Sequence, residues 1–234
     1  IGDFTGMIGD PTDRNAARKP LTREEVLVNA ADYKQQAEKI LNFSGKNPAE
    51  VRYNSHWLSK LTFEEIIKLT AHFTVQQMLE RDMFQKRLTE NKPIGLHEFL
   101  YPLMQGYDSV AMDVDIEIGG SDQTFNMLVG RQLLRDLNGK EKFVITLPLL
   151  EGTDGRKMSK SFNNSIDLTD TPNDIYGKIM SLKDDLILKF FEMTTEIPIG
   201  ELKAIRNKFK ENNPINLKKK LAFTIVEQYY NLEE

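Results

Sequence analysis

The fold of this chain is decided by the stretch 114–137, "VDIEIGGSDQTFNMLVGRQLLRDL". Its first five residues alternate and predict a strand, and after "GGSDQ" the apolar residues recur at helical spacing. A second β-rich apolar segment follows at 142–150, "KFVITLPLL", and is expected to be well buried. A strand, a helix and a strand in this order predict a parallel α/β sheet.

Helical patterns lie on both sides of this unit. Residues 21–43 read as a helix that opens with a capping-box pattern, Thr22 followed by Glu25. Residues 62–91 read as one or two further helices. From about residue 172 the chain is expected to be mainly helical to its end.

Short strands are predicted at 1–4, "IGDF", and at 51–58, "VRYNSHWL", where a turn follows. The complete pattern predicts a parallel α/β sheet followed by a mainly helical region.

Composition and charge exclude several classes of protein. The 234 residues are 40% hydrophobic and 28% charged, as in an ordinary globular protein, and the net charge of −4 gives no overall attraction to nucleic acid. The absence of cysteine excludes disulfides, thiolate metal sites and cysteine nucleophiles. No apolar run approaches the ~20 residues of a membrane span, and no signal peptide is visible, so we expect a cytoplasmic protein.

The first chemical motif is "GDPTDR" at 9–14. In a parallel sheet, loops that follow the carboxyl ends of strands form the ligand crevice. Asp10 can accept from an ammonium group, and Arg14 with Arg18, spaced i,i+4, can face one anion. A turn that leads into a solvated helix would show the same pattern.

The second motif is "YPLMQGYD" at 101–108. A helix here places Tyr101, Gln105 and Asp108 on one face, where Asp108 can accept from a hydroxyl and the other two can bind an amine. An ordinary polar face, or a core tyrosine with a satisfied hydroxyl, is the alternative. Pro102 also argues against a perfect helix, because it removes one backbone hydrogen bond.

The third motif is "GGSDQ" at 119–123, between the predicted strand and helix. A strand–turn–helix of this kind is typical of an anion or ribose site, and Asp122 can accept from ribose hydroxyls. The alternative is that Ser121 or Asp122 only caps the helix.

The fourth motif is "GRKMSKS" at 155–161. Lys157 and Lys160 suit a negative charge that develops during a reaction, such as a leaving pyrophosphate. The loop is not a Walker loop, because no glycine-rich run ending in GK[ST] precedes a helix. A solvated basic loop is the alternative.

"GRKMSKS" resembles the KMSKS motif of class I aminoacyl-tRNA synthetases. "GDPT", the Tyr101–Gln105–Asp108 spacing and "GGSDQ", in this order, resemble bacterial tyrosyl-tRNA synthetases, and the resemblance covers nearly the whole chain. It implies a class I, Rossmann-like α/β catalytic domain with a parallel sheet whose first strand is missing here. This partial domain would cover 1–165 and carry a helical insertion at about 47–112, and the start of an α-helical domain would cover 166–234.

The resemblance also implies a role for each motif residue. Asp10, Tyr101 and Gln105 would hold the tyrosine ammonium, Asp108 would accept from the phenolic hydroxyl, and Gln123 would line the pocket. The implied ATP-binding residues are Gly119, Gly120, Asp122, Met158, Ser159 and Lys160. The implied catalytic residues, which stabilise the departing phosphates, are Arg14, Arg18, Lys157 and Lys160.

The implied reaction activates tyrosine with ATP and transfers it to tRNA(Tyr), normally with Mg²⁺, for which no protein ligand site is identified. The family further implies a homodimer formed through the helical insertion, in the region of 72–84. The basic run at 218–220 could face tRNA, although the pattern favours a solvated helix face.

Some features depart from the family pattern. Asp13 stands where the family usually has glycine, and Arg14 where it often has lysine. The three histidines are not spaced as the His-x-Gly-His motif that class I enzymes need. We therefore expect a fragment that lacks this motif and the usual C-terminal RNA-binding domain, and that alone does not form tyrosyl-adenylate.

Two other functions fit the same residues. Tryptophanyl-tRNA synthetases share the fold and a related basic loop, although Gln105, Asp108 and "GGSDQ" favour tyrosine. A non-catalytic, synthetase-like RNA-binding or assembly protein is the other alternative.

Overall fold

The computed structural model describes residues 1–8, 21–31, 33–158, 162–209 and 213–230, without the side chain of Lys208. The chain divides into two compact units. The first comprises Ile1–Lys34 and Asn42–Leu149, and the second comprises Gln35–Leu41 and Leu150–Glu234. The predicted boundary between residues 165 and 166 stays a prediction.

Twelve α-helices and two β-strands lie within the described residues. The helices are α1 (Arg23–Ala30), α2 (Tyr33–Ala37), α3 (Ser55–Leu58), α4 (Phe63–Thr70), α5 (Val75–Leu79), α6 (Asp82–Thr89), α7 (Leu96–Met112), α8 (Thr124–Asn138), α9 (Pro172–Met180), α10 (Ile187–Thr194), α11 (Ile199–Lys208) and α12 (Pro214–Tyr229). The strands are β1 (Ile116–Gly120) and β2 (Phe143–Leu147).

The strand–helix–strand unit predicted from the sequence is present. β1 and β2 pair in parallel, with Ile116 opposite Phe143 and Gly120 opposite Leu147, and α8 connects them. Helices α7 and α8 pack closely, since a Cβ atom at Gly106 would lie 3.0 Å from the backbone nitrogen of Gly130. The α/β prediction is confirmed.

The expected burial of the second strand is wrong. Phe143, Ile145 and Leu147 are 74%, 44% and 52% exposed, and Ile116 and Ile118 on the paired strand are 53% and 63% exposed. Successive side chains of a strand point to opposite faces, so these five share one face of the two-stranded sheet. The apolar pattern of β2 is therefore not matched by burial in this chain.

Each unit has an apolar core of its own. In the first unit, buried residues of α4, α5, α7 and α8 form one cluster: Leu69, Met78, Leu103, Val129 and Leu133. In the second unit the cluster is larger and is formed mainly by α9, α10, α11 and α12, with Ile179, Ile187, Phe191 and Leu221 fully buried.

Two of the predicted strands are wrong. The segment 1–4 forms a turn that leads into a 3-10 helix, and 51–58 contains α3 instead of a strand. The carboxylate of Asp3 accepts from the backbone nitrogen of Ser55 (2.8 Å) and from its hydroxyl (2.6 Å). These bonds come from a residue far away in the sequence, and they satisfy polar groups at the start of α3.

The helical patterns are confirmed, but with more breaks than expected. Thr22 and Glu25 form the predicted capping box, with Thr22 Oγ1 accepting from the Glu25 nitrogen at 3.2 Å. The predicted helix over 21–43 is two helices, α1 and α2. The segment 62–91 holds three helices, α4, α5 and α6. A capping box formed by Thr74 and Gln77 starts α5 and so separates it from α4. No helix in the described part of the chain is long and apolar enough to cross a membrane.

Candidate functional site

Helix α7 carries three of the predicted site residues on one face. It runs without interruption from Leu96 to Met112, through Pro102, so Tyr101, Gln105 and Asp108 have the expected i, i+4, i+7 relation. It ends where Asp113 adopts a left-handed conformation (φ 49°). The same-face prediction is confirmed, and Pro102 does not break the helix.

The start of α7 is fixed by a buried ion pair. Arg87 of α6 contacts both carboxylate oxygens of Glu98, at 2.5 and 2.8 Å, and the two side chains are 5% and 2% exposed. Glu98 also accepts from the backbone nitrogen of Gly95 at 2.8 Å. Burial opposes ionisation, but these donors still hold the pKa of Glu98 below its ordinary value.

Asp108 is partly buried and accepts two side-chain hydrogen bonds. The indole Nε1 of Trp57 donates to its Oδ1 at 2.7 Å, and Asn54 Nδ2 donates to its Oδ2 at 3.3 Å. Burial raises the pKa of Asp108 to about 6, although both hydrogen bonds favour the ionised form. The group is therefore a carboxylate at neutral pH that becomes a carboxylic acid under mildly acidic conditions.

A buried cluster lies one residue further along α7. The ammonium of Lys142, whose side chain is fully buried, donates to Ser109 Oγ at 2.6 Å and also contacts Glu117 of β1. Ser109 donates to Glu117 at 3.0 Å. These hydrogen bonds tie α7 to β1 next to Asp108, the candidate hydroxyl acceptor. The negative charge of Glu117 also adds to the rise in the pKa of Asp108.

The two glycines that end β1 leave no room for a side chain. A Cβ atom at Gly119 would lie 3.0 Å from Met127 Sδ. At Gly120 it would lie 2.6 Å from Asp122 Oδ1 and 2.9 Å from Leu149 Cδ2. The backbone at the carboxyl end of the strand therefore packs closely against neighbouring side chains of the protein, which explains the two glycines.

The capping alternative for "GGSDQ" is wrong. Ser121–Gln123 form a 3-10 turn, α8 starts after it at Thr124, and no side chain caps either element. The Ser121 carbonyl instead accepts from Thr124 Oγ1 at 2.7 Å. The extra turn moves the helix start beyond the reach of Ser121 and Asp122, so capping does not explain these residues.

Side-chain amides connect this turn to α7. Asn126 Nδ2 donates to Gln105 Oε1 at 2.8 Å and to Gln123 Oε1 at 3.1 Å, and Gln123 Nε2 donates to Asp122 Oδ2 at 3.3 Å. The structure thus brings together Gln105, predicted to bind an amine, with Gln123 and Asp122, predicted to line the pocket and to hold ribose. Asp122 also lines a cavity of about 450 Å³ beside the α5–α6 junction.

In the second unit, the basic loop has a well-defined base. Glu151 and Lys157 form an isolated antiparallel bridge, and the nitrogen of Gly152 donates to the Arg156 carbonyl at 2.7 Å. Asn164, which is 2% exposed, donates to Asp154 Oδ1 at 2.8 Å and to the Lys157 carbonyl at 3.2 Å. The backbone on each side of Lys157 is therefore held in place.

Asp154 completes the base of this loop. Its carboxylate accepts from Asn164 and from the side chain of Arg156, whose Nε lies at 2.6 Å. The hydrogen bond from Asn164, followed by those from Arg156, holds the pKa of Asp154 well below its ordinary value. Lys157 has an exposed side chain and Met158 is half-buried.

Five predicted site residues lie outside the described residues: Asp10, Arg14, Arg18, Ser159 and Lys160. The described candidates fall in both units, with those of α7 and "GGSDQ" in the first and Lys157 with Met158 in the second. No group of three or more His, Asp or Glu residues that could hold a metal ion occurs in the described part of the chain.

Sequence reasoning missed four residues that support these candidates: Asn54, Trp57, Asn126 and Asn164. A signal was present for two of them. Asn126 interrupts the apolar spacing of "TFNMLV", and Trp57 is the single tryptophan of the chain. No signal was present for Asn54, because its segment resembled a strand.

Comparisons with known proteins assign the chain to a family. The model of the family described as tRNA synthetases class I (W and Y) matches residues 1–234. The chain therefore belongs to this family, and its fold is that of the class I synthetases.

The chain is also similar to individual known proteins. The chain is 49% identical over 236 residues to the tyrosine–tRNA ligase of Haemophilus ducreyi, and the aligned region covers 100% of this chain and 59% of that protein. A C-terminally truncated mitochondrial tyrosyl-tRNA synthetase from Aspergillus nidulans is 21% identical with a TM-score of 0.74, covering 99% of this chain and 71% of that one. A tryptophanyl-tRNA synthetase from Encephalitozoon cuniculi is 16% identical with a TM-score of 0.70, covering 98% and 66%. The chain thus spans about three fifths of the curated relative.

Proposed function

We propose that this chain supplies the amino-acid and nucleotide-binding residues of a tyrosine–tRNA ligase. The observation that carries the proposal is the polar face of α7, where Asp108 is positioned by Trp57 and Asn54 and Gln105 is tied to the "GGSDQ" turn. A relative with 49% identity, named a tyrosine–tRNA ligase, supports it.

In this proposal, residues of α7 bind the amino-acid substrate. The carboxylate of Asp108 accepts from the phenolic hydroxyl, and a ligand without that hydroxyl would displace water from a charged acceptor without replacing its hydrogen bond. Tyr101 and Gln105, together with Asp10, bind the ammonium group, and Gln123 lines the pocket. Recognition at both ends of the substrate fixes its carboxylate in place.

The end of β1 and the basic loop bind ATP. Gly119 and Gly120 allow the ribose to approach the backbone, and Asp122 accepts from its hydroxyls. Met158, Ser159 and Lys160 contact the nucleotide. Their loop is anchored at its base by Asn164.

The reaction has two steps. An oxygen of the tyrosine carboxylate attacks the α-phosphorus of ATP, the bond to pyrophosphate breaks, and tyrosyl-adenylate forms. The tyrosyl group then moves to the terminal ribose of tRNA(Tyr). Catalysis rests on positioning and on cations that stabilise the departing phosphates: Arg14, Arg18, Lys157 and Lys160.

Magnesium would be held mainly by the ATP phosphates, as is usual for this ion with nucleotides. When bound, it would neutralise phosphate charge. We further propose that the protein works in the cytoplasm as a homodimer formed through the helical insertion at about 47–112.

Activation of tryptophan is the second candidate. The family covers both amino acids, and the structural similarity to a tryptophanyl enzyme is close to that with a tyrosyl enzyme. A carboxylate at position 108 can also accept from an indole N–H, so the fold does not separate the two substrates.

Amino-acid-dependent ATP–pyrophosphate exchange by the full-length protein tests the proposal. We expect exchange with tyrosine and little with tryptophan or phenylalanine, and the reverse preference for tryptophan would contradict it. Lys157→Ala combined with Lys160→Ala should slow adenylate formation while tyrosine affinity stays nearly unchanged. Equal loss of tyrosine binding would show that the basic loop has another role.

A further inference from the structure

Asn126 lies at the centre of a chain of side-chain hydrogen bonds between α7 and the end of β1. Its Nδ2 donates to Gln105 at 2.8 Å and to Gln123 at 3.1 Å, and Gln123 donates to Asp122 at 3.3 Å. Asn126 is 1% exposed, so water does not compete for these bonds. The chain joins a residue of the proposed amino-acid site to residues of the proposed ribose site.

The carboxylate of Asp122 sets the direction of every bond in this chain. An ionised carboxylate only accepts, so Gln123 turns its NH₂ group toward Asp122 and its oxygen toward Asn126. Asn126 must then offer its own NH₂ group, and Gln105 receives it through Oε1. The orientation of the Gln105 amide is thereby determined three side chains away.

The oxygen of Asn126 supports this interpretation. Its Oδ1 is buried and has no hydrogen-bond partner among the described residues. The orientation of Asn126 is therefore fixed by what its NH₂ group donates and not by what its oxygen accepts. A buried acceptor is left unsatisfied while both donor hydrogens are used.

We propose that Asn126 is a positioning residue that holds Gln105 with its amide oxygen toward the bound amino acid. The inference rests on the proposed function, which assigns Gln105 to the substrate ammonium. An amide oxygen has two lone pairs, so Oε1 can accept from Asn126 and still accept from an ammonium. An amide rotated by half a turn would instead present its own N–H donors to that ammonium, and binding would weaken.

Two substitutions in the full-length protein separate hydrogen bonding from packing. Asn126→Leu removes both donated bonds at similar volume, and Asn126→Asp keeps the shape while replacing the donor by an acceptor. The matched control is Asn138→Leu near the other end of α8, where an exposed asparagine donates to Asp113 at 3.3 Å.

The measurements are the KM values for tyrosine and ATP in pyrophosphate exchange, the kcat, and the tyrosine dissociation constant from equilibrium dialysis. Loss of two amide hydrogen bonds should raise the KM for tyrosine by about 10- to 100-fold in both Asn126 variants. The kcat and the KM for ATP should change by less than about threefold. The control should match the wild type.

An unchanged tyrosine KM in a folded Asn126 variant would overturn the proposal. So would a lower kcat and melting temperature without a KM change, or normal tyrosine binding by Asn126→Asp, since each indicates a packing role. If the wild type activates tryptophan instead, the proposed function is wrong, and the same comparison made with tryptophan decides the role of Asn126.

Discussion

The hydrogen bond from Trp57 to Asp108 sets the charge of the proposed hydroxyl acceptor, and Trp57→Phe should change it measurably. This 2.7 Å bond comes from the indole and favours the carboxylate, against the burial that raises the pKa of Asp108 to about 6. A hydrogen bond to a charged group contributes about 1.5–3 kcal/mol, and one pKa unit corresponds to about 1.4 kcal/mol. The substitution should therefore raise the pKa by about 1–2 further units.

The pH dependence of tyrosine binding provides the assay. In the full-length wild type, the KM for tyrosine should rise as the pH falls through about 6, because protonated Asp108 no longer accepts through an anionic oxygen. In Trp57→Phe the same rise should occur at about pH 7–8. ¹³C NMR of the aspartate carboxyl carbons reports the titration directly.

The stability of the protein should depend on pH through the ionisation of Asp108. The folded pKa of Asp108 lies above its unfolded value of 3.8, so its contribution is fully present below about pH 4 and is lost as the pH rises through about 6. The loss amounts to about 3 kcal/mol at neutral pH. In Trp57→Phe the loss should extend to about pH 7–8, which urea unfolding at pH 5 and pH 9 would measure.

Tyr53→Phe is the control, since it alters an aromatic residue of the same segment whose described ring contact is with His56. It should leave the Asp108 titration at its wild-type position. If Trp57→Phe titrates where the wild type does, the indole does not set the charge of Asp108 and the argument fails.

Three further predictions concern stability, each measured by urea unfolding. Arg87→Met leaves Glu98 buried without its cation and should cost about 3–5 kcal/mol; a loss below about 1 kcal/mol would contradict the buried-pair argument. Gly130→Ala should destabilise the protein by about 1–3 kcal/mol, because the added Cβ would lie within 3.2 Å of three neighbouring atoms. As a control, Gly177→Ala in α9 adds a Cβ that meets nothing within 4 Å and should stabilise the protein by up to about 1 kcal/mol. Asn163, with a φ of 49°, should accept glycine with little change but lose about 1–2 kcal/mol as valine, and equal effects would show that this backbone is not strained.

Local periodicity was sufficient to predict part of the candidate site. The 3.6-residue repeat places Tyr101, Gln105 and Asp108 on one face of any helix, and the glycines of "GGSDQ" predict a close turn after a strand. Both features depend on residues within one or two turns of each other. They therefore hold in the structure whatever the rest of the chain does.

The predictions of strands at 1–4 and 51–58 were wrong because they depended on contacts between residues far apart in the sequence. Apolar and β-branched residues favour a strand only when a neighbouring strand is available to pair. Here the carboxylate of Asp3 binds the backbone of Ser55 and the Asn54 side chain binds the backbone of Phe4, at 2.9 Å. These contacts join residues about fifty positions apart, which sequence periodicity does not report.

The amino-acid sequence by itself determined the α/β unit, the family and the polar face of α7, because these follow from spacing along the chain. Tertiary structure alone decided the state of the groups on that face. Trp57 reaches Asp108 across 51 residues, and Asn126 reaches Gln105 across 21. Burial and hydrogen-bond direction arise only when distant segments meet, so the charge of Asp108 and the orientation of Gln105 are properties of the packed structure.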